Sequence, residues 1–202
     1  MNIINYKKLK IKEILNENKS IATTFAFLTV IIILSNNNKS IDAEIDPSNW
    51  FEYEDDKITM KYPPNWQIER STSKFDVSDF HAIDRVNKII FQGLSNDFGD
   101  EYSKSITDKE IYESAKDLFF GETVSNRHIE SYEKGDFSIG DKESFADLYS
   151  VKYEIGGYDF GVLFVMSIYD NKYYSIQASV LQENYEDVEQ TIHDVIRSIS
   201  LK

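Results

Sequence analysis

Cysteine is absent from the 202 residues, which excludes a disulfide scaffold, a cysteine nucleophile and a cysteine-based zinc site. Proline and glycine are scarce, at 3 and 8, so the chain is neither collagen-like nor a Pro/Gly-rich flexible polymer. Basic residues are outnumbered, 22 Lys+Arg against 35 Asp+Glu, leaving a net charge of -13. A partner held by phosphate contacts requires clustered Lys and Arg that release counterions, so nucleic acid is excluded as a partner. Also missing are the G-x-S-x-G, H-E-x-x-H and G-x-G-x-x-G patterns of hydrolases, zinc proteases and dinucleotide binders. Gly135 and Gly140 have a phosphate-loop spacing, but Asp141 follows where that loop needs a lysine, and a carboxylate there repels the ligand. What the chain does have is aromatic surface: 13 Tyr, 13 Phe and 2 Trp, far more than a solvated chain carries. The length suits one folded domain with a short extension.

The charge is unevenly distributed. Residues 1–43 carry six basic side chains (Lys7, Lys8, Lys10, Lys12, Lys19, Lys39) and three acidic ones (Glu13, Glu17, Asp42). The remaining 159 residues carry a net charge of -16. Between the two lies Ile21 to Leu34, fourteen residues without a charge. A basic start, an apolar run and a polar stretch follow in the order of an export signal. Fourteen residues fall short of the roughly 20 that cross a bilayer as a helix, while extension through Ser20 and Ser35 would make a short anchor. Residues 1–43 are therefore expected to be a signal peptide cleaved after Ala43 or an uncleaved N-terminal signal anchor that holds the protein to the membrane through residues 21–34. In either case the basic end stays in the cytoplasm. The acidic body is then extracytoplasmic, secreted or anchored at the outer face of the cytoplasmic membrane. With no cysteine after the apolar run, lipid modification of the bacterial lipoprotein type is excluded.

Residues 44–49 read as a linker and residues 50–202 as a single domain. Alternation of Ile58, Met60 and Tyr62 with Thr59 and Lys61 predicts a half-buried strand after an Asp55-Asp56 turn. Pro63-Pro64-Asn65 ends it, and Trp66 and Ile68 open the next extended piece. Residues 88–94 form another strand candidate. Thr107 and Glu110 have the spacing of a capping box, with Ile111, Ala115, Leu118 and Phe119 forming a helical stripe as far as Gly121. Three strands are expected next, over 145–155, 158–169 and 172–180, with turns at Gly156-Gly157 and Asp170-Asn171. The middle one is apolar on both faces, which predicts a central strand with a packing layer on each side. A final amphipathic helix starts near Asn184, with Tyr185, Val188, Ile192, Val195, Ile196 and Ile199 on its apolar side.

The segment Lys57-Ile-Thr-Met-Lys-Tyr-Pro-Pro-Asn-Trp-Gln-Ile resembles the opening strand, proline and tryptophan signature of PsbP-like proteins, the family of an extrinsic oxygen-evolving-complex subunit and its non-photosynthetic relatives. The end is similar too, with Asn171-Lys-Tyr-Tyr-Ser-Ile-Gln-Ala-Ser and a terminal helix that finishes in Ile196-Arg-Ser-Ile. The resemblance spans roughly residues 50–202. It implies an α/β (α+β) fold, an α/β/α sandwich around a central antiparallel sheet. It also implies no catalytic residues, attachment to a larger membrane complex and, for a few members, bound metal ions. The photosynthetic role is not carried over, because no partner-binding motif of that subunit is matched.

Candidate chemistry is confined to scattered groups. His193 sits beside the apolar stripe of the last helix, where packing at its rim is the expected role, and Asp84 lies three residues beyond His81. Asp97, Asp100 and Glu101 share an acidic loop and are the candidate ligands of a weak Ca²⁺ site, since that ion takes six to eight oxygens from flexible loops. No other cofactor is expected. Tyr153, Tyr158, Phe160, Tyr169, Tyr173 and Tyr174 suit cross-strand packing, with any exposed remainder marking a partner site. The expected function is a non-enzymatic accessory or binding module, membrane-associated and docking on an unknown membrane or surface protein complex. The competing reading is an extracytoplasmic hydrolase that uses carboxylates with or without a divalent metal.

Overall fold

A computed structural model describes residues 47–70, 79–97, 107–113, 129–152, 159–170 and 172–202. Ten strands and two helices lie in these segments: β1 (Phe51–Glu54), β2 (Ile58–Tyr62), β3 (Gln67–Arg70), β4 (Phe80–Asp84), β5 (Ile89–Asp97), α1 (described over 108–113), β6 (Ile129–Ile139), β7 (Lys142–Lys152), β8 (Asp159–Tyr169), β9 (Lys172–Leu181), α2 (Tyr185–Arg197) and β10 (Ser200–Leu201).

The strands form two sheets. The larger has seven strands in the order β3-β4-β5-β9-β8-β7-β6, and the smaller has three in the order β1-β2-β10. All pairings are antiparallel. The doubly apolar strand is interior as expected: β8 lies between β7 and β9, and Gly161 through Ser167 are buried on both faces. Its hairpin with β9 turns through Asp170 at φ 48°, the left-handed conformation that a two-residue turn requires.

The faces of the large sheet are covered differently. On one, Phe80, Phe91, Leu163, Val165, Ile176, Ala178 and Ile139 pack against Tyr185, Val188, Ile192 and Val195 of α2, and against Tyr53, Ile58 and Met60 of the small sheet. On the other, Tyr112 of α1 stacks on Phe145 and Phe164, at 5.0 and 6.0 Å between ring centroids, and donates its hydroxyl to Asp147 at 2.7 Å. Helices thus cover both faces of a central antiparallel sheet, the sandwich expected from the sequence. A small sheet shares one outer layer with α2.

Local chemistry explains the boundaries. Thr107 and Glu110 form the capping box: the Thr107 N–H donates to Glu110 Oε2 at 2.9 Å, and the Glu110 N–H donates back to Thr107 Oγ1 at 3.3 Å. Helix α2 begins with Glu186 and Asp187 and ends with Arg197, each charge set against the helix dipole. Ile199 of the predicted stripe lies past the end of α2 but is buried all the same. The turn after β6 needs Gly140, whose φ is +57° and whose missing Cβ would lie 1.9 Å from the Ile199 carbonyl oxygen. Gly140 thus ends a strand and belongs to no phosphate loop. Residues 1–46 lie outside the described segments, and with them the linker's first residues and the apolar run 21–34. Among the described residues no helix is long and apolar enough to cross a membrane.

Candidate functional site

Two surface features stand out, both where the small sheet meets the large one. The first is a narrow cleft lined by Asp55, Lys57, Asp79, Ser95, Tyr174 and Leu201, with an internal volume of only about 10 Å³. Ligand sites for small organic molecules run to roughly 300–1,000 Å³ and hold polar groups free to turn toward the ligand. Here the polar groups are committed to the fold. Asp79 accepts from Lys57 Nζ at 2.5 Å on one oxygen, and from the Ser95 N–H at 2.7 Å and hydroxyl at 3.0 Å on the other. Asp55 accepts the Lys57 and Ile58 N–H groups, each at 2.8 Å, and the Tyr53 hydroxyl at 2.8 Å. Burial, with Asp170, Tyr169 and Asp79 nearby, raises the Tyr174 hydroxyl above its ordinary 10.0, so it is a proton donor and not a base. It donates to the Lys202 carbonyl at 2.9 Å. The cleft is a seam that stitches two sheets together.

The second feature is an aromatic edge on β1. Phe51 is 54% exposed, the most open large apolar side chain among the described residues. It meets Tyr62 edge to face with 5.9 Å between centroids, opposite it in the β1–β2 register. Phe51, Tyr53, Ile58, Met60 and Tyr62 share the inner face of the small sheet by alternation; Tyr53, Ile58 and Met60 are buried in the core, Tyr62 is partly buried against it, and Phe51 is open. Trp50 begins this edge, partly buried against the core, and its indole N–H is shut from solvent without an acceptor. On the outer face Glu52 stands opposite Lys61.

The candidate residues separate accordingly. The side chains of Asp97, Asp100 and Glu101 lie outside the described residues, although the Asp97 backbone is described and pairs with Lys172. His81 and Asp84 are an odd number of residues apart on β4 and so project to opposite faces. Asp84 is 1% exposed and accepts from Asn65 Nδ2, Asn87 Nδ2 and the Val86 and Asn87 N–H groups at 2.7–3.1 Å, which fixes the turn after β4. His193 packs edge to face on Phe137 at 5.0 Å, with burial pushing its pKa down and Glu189 partly opposing that. The packing role read for His193 from the sequence is what its geometry shows. Phe160, Tyr173 and Tyr174 are buried, whereas Tyr169 is 38% exposed and lies under the Lys142 ammonium at 4.5 Å; Tyr153 and Tyr158 lie outside the described residues. Phe51 was not singled out from the sequence, and no local pattern marks it, because its 54% exposure depends on where the large sheet stops.

No family model and no curated protein matches the chain by sequence. Solved structures do match. Cyanobacterial PsbP (CyanoP) from Synechocystis sp. PCC 6803 superimposes with a TM-score of 0.56 at 11% identity, over 81% of this chain and 98% of that one. The Saccharomyces cerevisiae Ran-binding protein Mog1p superimposes with a TM-score of 0.52 at 12% identity, over 76% and 95%. At these identities the likeness shows the fold, which is PsbP-like, as the opening and closing segments of the sequence suggested.

Proposed function

We propose that the chain is a non-catalytic, extracytoplasmic binding module, held at the membrane by its N-terminal segment and docking through a sheet edge on a larger protein complex. The observation that carries this reading is the outer strand β6. It runs eleven residues, Ile129–Ile139, and pairs only with β7 among the described strands. A long edge with backbone donors and acceptors on one side is a template for a partner's strand. The register shift between Tyr132 and Phe137 bends that edge and limits indiscriminate pairing. Support also comes from the Ran-binding protein that shares this fold, and from the seam between the sheets, whose carboxylates are fully engaged in holding the structure.

The test is purification of the crosslinked 202-residue chain from membranes of its host. A stoichiometric protein partner is expected, and its adduct should disappear when prolines interrupt β6 in a variant that keeps its circular dichroism. Emergence of the chain alone would remove the reading.

A further inference from the structure

The aromatic edge of β1 is not used by the docking reading, and its place in the sequence says what it faces. Trp50 follows the apolar run by fifteen residues, 35–49, which fully extended reach at most about 50 Å and, less extended, bring the domain close to any bilayer that holds residues 21–34. A short 3-10 turn, Pro47–Asn49, leads directly into Trp50 and Phe51. The first described strand after the apolar run thus opens on Phe51 behind Trp50, with Tyr62 opposite Phe51, and Phe51 is 54% exposed. These are side chains that settle at a membrane–water interface, apolar ring inward and polar edge toward the headgroups.

We infer that Trp50, Phe51 and Tyr62 form an interfacial contact by which the folded domain rests on the outer leaflet beside its own anchor. The occupant is the headgroup region of a lipid bilayer, and the contact is apolar rather than electrostatic, because the domain carries a net charge of -16 and anionic lipid repels it. Such a contact would fix the orientation of the module, with its small sheet down. The inference rests on the proposed membrane anchorage, and the experiment separates the two.

The chain has two tryptophans, and Trp66 is 3% exposed in the core, so Trp50 reports alone on the surface. The whole chain is reconstituted into phosphatidylcholine vesicles carrying bromines at shallow acyl positions. Co-flotation with the vesicles tests the anchor, and quenching of tryptophan fluorescence tests the contact. The expected result is flotation with strong quenching that Trp50→Phe abolishes and Phe51→Glu reduces at least twofold, with melting temperature unchanged. Failure to float would overturn the anchorage. Flotation without quenching, or quenching untouched by Trp50→Phe, would overturn the contact alone. A photo-crosslinking residue at position 51 in native membranes should give lipid adducts, and a discrete protein adduct in their place would overturn the lipid assignment in favour of a protein at this edge.

Discussion

The Tyr174 hydroxyl donates to the main-chain carbonyl of Lys202 across 2.9 Å, tying strand β9 of the large sheet to the end of the chain beside β10. The same end is held by the Lys202 N–H, which donates to the Lys57 carbonyl at 2.8 Å, and by Lys202 Nζ on Glu54 at 2.8 Å. The small sheet is thus fastened to the large one by a phenol and a terminal strand of two residues.

Tyr174→Phe removes that bond and leaves the carbonyl to solvent or to a strained neighbour. A loss of about 1 kcal/mol is expected, or a fall in Tm of about 2–4 °C for a domain of this size. The folded Tyr174 pKa lies above its ordinary 10.0, chiefly through burial. The unfolded chain therefore loses this proton first as pH rises, so the stabilisation present below pH 10.0 is lost above it. Urea unfolding at pH 8 and at pH 10.5 should show the wild type losing more stability between them than Tyr174→Phe does.

His193 gives the opposite dependence. Burial against Phe137 lowers its pKa below the ordinary 6.5, so the folded protein keeps it neutral while the unfolded chain protonates as pH falls through 6.5. Its contribution is complete above that pH and declines below it toward the folded pKa. Thermal melts between pH 7.5 and 5 should show a loss of stability in the wild type that is smaller in His193→Gln. Equal slopes in the two proteins would assign the acid sensitivity to other groups.

How much of this was legible depended on whether burial left a pattern. Ile58, Met60 and Tyr62 alternate cleanly because β2 has one wet face, and β8 reads as continuous apolar sequence because it has none. Helix α2 was visible from its stripe and its start at Tyr185. Strand β4 was not visible, because its buried positions are Phe80, Ala82 and Asp84, and a buried aspartate makes sense only once Asn65 and Asn87 are seen to satisfy it. Strand β6 was hidden because Glu, Lys, Gly and Asp interrupt its sequence and leave no alternation of apolar and polar residues to read. The β1–β2 hairpin was legible in residues 50–54 and 57–62 around the Asp55-Asp56 turn, but the third strand of the small sheet was not: β10 is two residues long and meets β2 from the far end of the sequence, a pairing that no local pattern records. Phe51 escaped for the same cause, since its exposure depends on where the large sheet stops.

The capping box was legible from two residues, and its energy can be measured separately. Thr107→Ala removes the acceptor of the Glu110 N–H and the Thr107 Oγ1 to Glu110 Oε2 bond of 2.9 Å. A loss of about 1 kcal/mol is expected by chemical denaturation. Because α1 supplies Tyr112 to the sheet, the variant should also lose hydrogen-exchange protection in residues 108–113 more than in α2. Uniform loss across both helices would mean that the cap stabilises the domain only as a whole.

The most severe single change should be Gly140→Ala. The backbone there has φ +57°, a region that costs an L-residue roughly 1–2 kcal/mol before any contact is considered. The added methyl would then sit 1.9 Å from the Ile199 carbonyl oxygen and 3.1 Å from its carbon, both main-chain atoms that cannot rotate away. Moving them would break the Gly140 N–H to Ile196 carbonyl bond of 3.2 Å and lift the end of α2 from the β6–β7 turn. Strain and displacement together should cost about 3 kcal/mol or more, enough to deplete the folded protein visibly. Asp141→Ala, one residue on, is the control: its side chain is exposed and pairs only with Lys142 at 2.9 Å, so its Tm should stay near wild type. If Gly140→Ala melted alongside that control, the turn would have to relax away from Ile199, and the seam between the terminal helix and β6 would be looser than these distances describe.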